Sequence, residues 1–301
     1  MRKLLYQDVG QIDFVRRGFR LGPARGRLEA AGLTLLAGFN VVNEAGLDGL
    51  DLLSGIAPEM WGYACEGAAV ACVVHDVLTL SRGRRLAALL AGPGRDHPYL
   101  VHMGAGWAFA RLRLRPLRLP GALDPLLRWL TWDGYGFHQA FFRQPVGLTS
   151  NGVRRAIRDQ GYGRAVWFRE CADVEAVATT IAAFPLDRHA DLWAGAGLAA
   201  AYVGGATSDD LVRLARHAGE NRADLAQGAV FAAAARVRAG FVPGHTEQAA
   251  EILAGTACER AAAWTEEARR GRGGGPEEYM RWQAEVRRLW GSRRNARIEW
   301  L

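Results

Sequence analysis

Three ionisable residues have the types and positions for acid–base chemistry in a chain that is half hydrophobic: Glu66, Asp133 and His138. Glu66 and Asp133 each precede a glycine within an apolar segment, and His138 follows Asp133 by five residues. An ionisable side chain on a packed face raises the free energy of the fold unless it is paired or used. We therefore expect these side chains to donate or accept protons. The alternative is that Asp133 caps a helix and His138 satisfies a backbone carbonyl.

Aromatic residues accompany these candidates, both beside Asp133 and in equivalent segments elsewhere. Such rings can form the wall of an apolar pocket that holds an extended or polyunsaturated molecule. Ordinary core packing is the alternative, because aromatic residues at helical spacing fill cores equally well. The candidate substrate-binding residues are Trp107, Trp132, Tyr135, Phe137 and Trp193.

An internal repeat predicts the elements that must position these residues. A glycine recurs at seven places, with separations from 27 residues (134 to 161) to 37 residues (67 to 104). This is the spacing of helix-pair units. The positions three and seven residues later are mostly apolar, which predicts one apolar helix face. Glycine with alanine one turn later would let a neighbouring backbone approach closely. The glycines are Gly32, Gly67, Gly104, Gly134, Gly161, Gly195 and Gly228.

The repeat, with no strand pattern of any length, predicts an all-α fold. We expect an α/α helical-hairpin repeat, either a solenoid or a toroid, of about seven units. Residues 1–265 would form this helical-repeat domain. Residues 266–301 would form an arginine-rich linker and a C-terminal helix that either caps the repeat or docks a partner.

The charge distribution argues against a nucleic-acid partner. The net charge is +7, but residues 268–301 contain nine arginines against four glutamates, and the remaining body is nearly neutral. A nucleic-acid site would need a basic patch on the folded body.

The most hydrophobic segment, residues 60–80, contains Glu66, His75 and Asp76, which argues against a membrane span. No signal-peptide pattern is visible near the N-terminus, so we expect a cytoplasmic protein.

The cysteines lack the spacing of zinc ligands, so we expect buried thiols and no metal. They are Cys65, Cys72, Cys171 and Cys258.

Three segments match the start of a dinucleotide-binding motif: GAGWAF at 104–109, GYGRAV at 161–166 and GAGLAA at 195–200. A dinucleotide site needs a preceding strand, whereas these segments follow helical patterns and recur with the repeat. We therefore expect no cofactor.

Seven ordered runs lie between about residues 10 and 260: RRGF at 16–19, YACEGAA at 63–69, HPYL at 97–100, GAGWA at 104–108, DGYGFH at 133–138, GYGRA at 161–165 and GAGLA at 195–199. Together these runs resemble a bacterial family of enediyne biosynthesis accessory proteins, encoded beside enediyne polyketide synthases. The segment LWAGAGLAAAYVGG at 192–205 is also similar to tetratricopeptide and Sel1-like helical repeats. The resemblance implies a role in maturing an enediyne core from a linear polyene.

Our first hypothesis is an accessory biosynthetic protein that binds a hydrophobic polyene or polyketide intermediate and assists its rearrangement or cyclisation. It would be a cofactor-independent cyclase or isomerase, with Glu66, Asp133 and His138 moving protons. The alternative is a non-catalytic scaffold that organises partner biosynthetic enzymes. A second alternative is an isoprenoid cyclase-like enzyme, although no DxDD motif is present. Other biosynthetic proteins and a second copy of the chain are candidate partners.

Overall fold

The computed structural model describes residues 6–116, 123–143 and 152–298, and for residues 293–298 it describes the backbone alone. Within these ranges all regular structure is helical and no strand is present, so the all-α prediction is confirmed. The α-helices are α1 (Phe14–Arg17), α2 (Arg25–Ala45), α3 (Trp61–Leu78), α4 (Arg84–Ala91), α5 (Pro98–Arg111), α6 (Leu130–Phe141), α7 (Val153–Arg169), α8 (Val174–Ala182), α9 (His189–Tyr202), α10 (Ser208–His217), α11 (Arg222–Arg238), α12 (Gly244–Ala249), α13 (Cys258–Arg269) and α14 (Pro276–Ile298).

The long helices α2, α3, α5, α6, α7, α9, α11 and α13 pack against one another in chain order. The pair α6 and α7 shows how. A Cβ on Gly161 of α7 would lie 1.8 Å from the Asp133 carbonyl oxygen, and one on Gly136 of α6 would lie 2.0 Å from the Arg158 carbonyl oxygen. Asp133 thus lies beside Gly161, and Gly136, three residues later on α6, lies beside Arg158, three residues earlier on α7. The two helices therefore run antiparallel.

Equivalent contacts recur along the chain and confirm the predicted close approach of neighbouring backbones. A Cβ would lie within about 2.2 Å of a carbonyl oxygen of the preceding long helix at Gly67, Gly104, Gly134, Gly195 and Gly228. Whether the array forms a solenoid or closes into a toroid stays a prediction.

The first unit of the repeat departs from the predicted register. A Cβ on Gly32 would meet the Ile12 side chain, not a helix backbone. In α2 the carbonyl that contacts Gly67 belongs to Leu35, so the residue equivalent to the other glycines is Leu36. The prediction that Gly32 begins the repeat is therefore wrong by one helical turn. Gly32 is small because the N-terminal segment packs against it.

The C-terminal helix α14 packs against α7, α11 and α13. Its residues Tyr279, Trp282 and Val286 are buried. The side-chain amides of Gln283 and Gln160 donate hydrogen bonds to each other's oxygens, at 2.8 and 3.1 Å. α14 therefore contributes side chains to the interior, while α13 continues across the predicted boundary at residue 265.

In the described part of the chain, no helix combines the length and apolarity needed to cross a membrane. The four cysteines are buried and unbridged, as expected for small thiols in a core.

Candidate functional site

A buried ion pair joins α6 to α7. Asp133 lies in the first turn of α6, and its Oδ1 atom is 2.8 Å from the Nη2 atom of Arg164 on α7. Asp133 is 1 % exposed and Arg164 is 7 % exposed. The Arg164 guanidinium also lies 4.9 Å from the centroid of the Phe137 ring. Asp133 does not cap α6, so the capping alternative is wrong for this residue.

Glu66 lies on α3, at the position equivalent to Asp133, and is buried. Burial raises the pKa of Glu66 to about 7; the positive charge of Arg164 opposes this rise and the negative charge of Asp133 adds to it. Burial also raises the pKa of Asp133 to about 6, against the lowering effect of Arg164. Because Asp133 has the guanidinium of Arg164 beside it, its carboxyl group ionises more readily than that of Glu66.

Two apolar cavities meet beside these groups. The first, called here the α2-side cavity, encloses about 550 Å³ of space between side chains, part of it open to solvent. Its lining includes Leu28, Leu35, Tyr63, Glu66, Trp107, Phe137, Phe141, Arg164, Phe168, Leu198 and Tyr202. The second, the α14-side cavity, encloses about 540 Å³. Its lining includes Tyr99, Met103, Asp133, Gln160, Leu198, Tyr202, Phe231, Tyr279 and Trp282.

The ion pair lies at the boundary between the two cavities. Arg164 and Glu66 line the α2-side cavity, Asp133 lines the α14-side cavity, and Leu198 and Tyr202 line both. The lining of both cavities is mostly apolar, so both suit a hydrophobic molecule.

Two of the five predicted aromatic residues line one of these cavities, and the other three do not. Trp107 and Phe137 line the α2-side cavity, as expected for a pocket wall. Trp132, Tyr135 and Trp193 are buried but line neither cavity. Trp132 instead packs on Tyr135, with ring centroids 5.8 Å apart.

His138 lies apart from the two carboxyl groups. Its ring packs against Trp107 and Phe142, with centroids 5.3 and 4.6 Å away, in a small pocket that contains neither Glu66 nor Asp133. Burial, with the charges of Arg111 and Arg17, lowers the pKa of His138 to about 3. Its imidazole is therefore neutral, and the predicted grouping of His138 with Asp133 is not formed.

Three polar residues of the α2-side cavity were missed by the sequence reasoning. The sequence does distinguish Arg164, because this arginine occupies a position, three residues after a repeat glycine, that is apolar in the other segments. The sequence does not distinguish Tyr63 and Tyr202, since a tyrosine among apolar helix positions has the pattern of core packing. Their rings meet edge to face, with centroids 5.5 Å apart.

An array of packed helices with a buried ion pair between two apolar cavities defines the class: an all-α protein with internal cavities. The chain matches over residues 1–289 a family model described as protein of unknown function, DUF1702. It therefore belongs to the DUF1702 family. Comparison with curated proteins and with solved structures found no match in either set.

The raised pKa of Glu66 predicts an unusual dependence of stability on pH. Between the unfolded pKa near 4.5 and the folded pKa near 7, the native state retains a proton that the unfolded state releases. Wild-type stability should therefore fall as pH rises through this window. Glu66→Gln avoids the loss, so the variant should exceed wild type by about 3 kcal/mol at pH 8 and by about 1 kcal/mol or less at pH 5.

Urea denaturation at both pH values measures this difference, with exposed Glu266→Gln on α13 as the control. An equal effect of Glu66→Gln at pH 5 and pH 8 would contradict the raised pKa.

Proposed function

We propose that this protein is an accessory protein of enediyne or related polyketide biosynthesis, which binds a hydrophobic polyene and assists its rearrangement or cyclisation. The observation that supports the proposal is the placement of Glu66, Asp133 and Arg164 at the boundary of two apolar cavities. An unsaturated hydrocarbon chain would bury its apolar surface in these cavities. Its middle would then lie beside the ionisable groups.

The two carboxyl groups divide the roles of acid and base. Glu66 near neutral pH supplies a proton donor, while Asp133, ionised beside Arg164, supplies an acceptor. Proton donation to one carbon of the chain and proton removal from another shift double bonds without net oxidation or reduction. The faces of Trp107 and Phe137 would pack on the unsaturated chain and hold it in place. The reaction class is therefore isomerisation or cyclisation by proton transfer.

Genetic complementation tests the proposal. In a strain whose polyketide product depends on this gene, Glu66→Gln should lower product formation by about 100-fold or more, the usual effect of losing a general acid. Polyene-derived shunt products should accumulate, as measured by mass spectrometry. Asp133→Asn should have a similar effect.

Asp191→Asn is the matched control. Burial also raises the pKa of Asp191, to about 6, but this residue hydrogen-bonds to Gln160 and lines neither cavity. It should restore product fully, and immunoblots should show equal protein levels. Full rescue by Glu66→Gln and Asp133→Asn would contradict the proposed chemistry and favour the non-catalytic scaffold.

A further inference from the structure

Two tyrosine hydroxyls beside the α2-side cavity lack hydrogen-bond partners. Tyr63 and Tyr202 are 7 % and 4 % exposed, and neither hydroxyl bonds to any residue in the described ranges. A buried hydroxyl without a partner is costly, and such groups are rare in folded proteins. Both side chains line the cavity. A molecule bound in the cavity would contact both tyrosines and supply the missing hydrogen-bond acceptor.

Other polar groups around this cavity are also hydrogen-bond donors. The Nε atom of Arg164 is buried and makes no hydrogen bond within the described residues. Behind Tyr202, the Arg236 guanidinium lies 3.7 Å from the ring centroid. Arg236 is 2 % exposed and donates to the carbonyl oxygens of Glu59 and Tyr202. Burial raises the pKa of Tyr202, and the positive charge of Arg236 opposes that rise.

Most of the remaining lining is apolar, so these donors form a polar spot in a hydrophobic cavity. The complementary molecule has an apolar chain and an oxygen that accepts hydrogen bonds. A carbonyl oxygen has two lone pairs, one for each hydroxyl. Both the positive charge of Arg236 and the smaller negative effect of Glu66 act on these tyrosines, so charge alone does not select the ligand. Desolvation does, because a carboxylate would have to lose its hydration in an apolar cavity, whereas a neutral carbonyl loses far less.

We infer that Tyr63 and Tyr202 form a subsite for the carbonyl oxygen of an otherwise apolar, unsaturated chain, so that the substrate class is a polyene ketone. This inference rests on the proposed function, because it places the ligand in the same cavity. Two phenols on the carbonyl oxygen would stabilise an enolate. Asp133 would take a proton from the carbon next to the carbonyl, and Glu66 would give its proton to a more distant carbon. No electrons are gained or lost overall.

Displacement of a fluorescent polyene tests the subsite. Diphenylhexatriene, an apolar polyene, is bound to the full chain and displaced by 2-nonanone, nonane or nonanoate, which share one chain length. For the wild-type protein we expect 2-nonanone to bind at least tenfold more tightly than nonane. Tyr63→Phe and Tyr202→Phe, which each remove one hydroxyl, should weaken 2-nonanone binding about fivefold and leave nonane unchanged.

Tyr135→Phe is the control, because Tyr135 is buried but lines neither cavity. Thermal melting of each variant establishes that it is folded. If diphenylhexatriene binds but 2-nonanone and nonane displace it equally well, the carbonyl subsite is contradicted, while the cavity remains a binding site for polyenes. Tightest binding of nonanoate, weakened in both variants, would also overturn it in favour of a carboxylate site. If neither diphenylhexatriene nor 2-nonanone binds, the cavity is no ligand site, and the proposed function fails as well.

Discussion

Gly134→Ala is expected to lower the free energy of unfolding by about 3 kcal/mol or more, at the upper end of overpacking effects. A Cβ at this position would lie 1.8 Å from the Met103 carbonyl oxygen and 2.6 Å from its carbonyl carbon. Both partners are helix backbone, so no side-chain rotation relieves the overlap. The helices α5 and α6 would have to separate, and this would also disturb the reciprocal contact of Gly106 with the Thr131 carbonyl.

Gly26→Ala on α2 is the matched control for this experiment. A Cβ on Gly26 would have no heavy atom within 4 Å, so the substitution should raise stability by up to about 1 kcal/mol through helix propensity. Chemical denaturation followed by circular dichroism measures both variants. If Gly134→Ala is as stable as Gly26→Ala, the close contact of α5 with α6 is contradicted.

Arg164→Met should cost about 3 to 5 kcal/mol at pH 8, the range for removing one partner of a buried ion pair. The substitution leaves Asp133 buried without its cation and removes the charge that opposes the rise in the pKa values of Asp133 and Glu66. Both carboxyl groups must then take up protons or stay charged in the core. The cost should shrink as pH falls from 8 to 5, because protonation becomes easier.

Arg155→Met, on the same helix α7, separates this effect from the loss of an ordinary ion pair. Arg155 lies 2.7 Å from Asp187, but their side chains are 39 % and 60 % exposed. Solvent screens such a pair, so its loss should cost less than about 1 kcal/mol. Denaturation of both variants across pH measures the contrast. Equal, pH-independent costs would rule out Arg164 as the charge that opposes the raised carboxyl pKa values.

The closest helix contacts also carry the candidate carboxyl groups. The Glu66 carbonyl oxygen lies against Gly104, and the Asp133 carbonyl oxygen lies against Gly161. Backbone packed this tightly leaves little room for movement. The side chains of Glu66 and Asp133 are therefore attached to a rigid part of the array, which is what a site for positioned proton transfer needs.

Periodicity in the sequence determined the fold class and the contacts between helices. Glycines spaced by about one helix pair, followed by apolar residues at helical intervals, predicted antiparallel neighbours that approach closely. The same alignment placed Glu66 and Asp133 at equivalent positions of two helices. These features depend on local spacing along the chain, so they can be read without knowing which helices meet.

Only the tertiary structure decided which side chains share a site. It paired Asp133 with Arg164 across a helix boundary and placed Tyr63 and Tyr202 beside one cavity. It also put His138 in a different pocket, although only five residues separate it from Asp133. The physical reason is that periodicity fixes the face on which a residue lies within its own helix. The helix opposite that face, and the rotation that brings two side chains together, depend on packing between segments far apart in the chain.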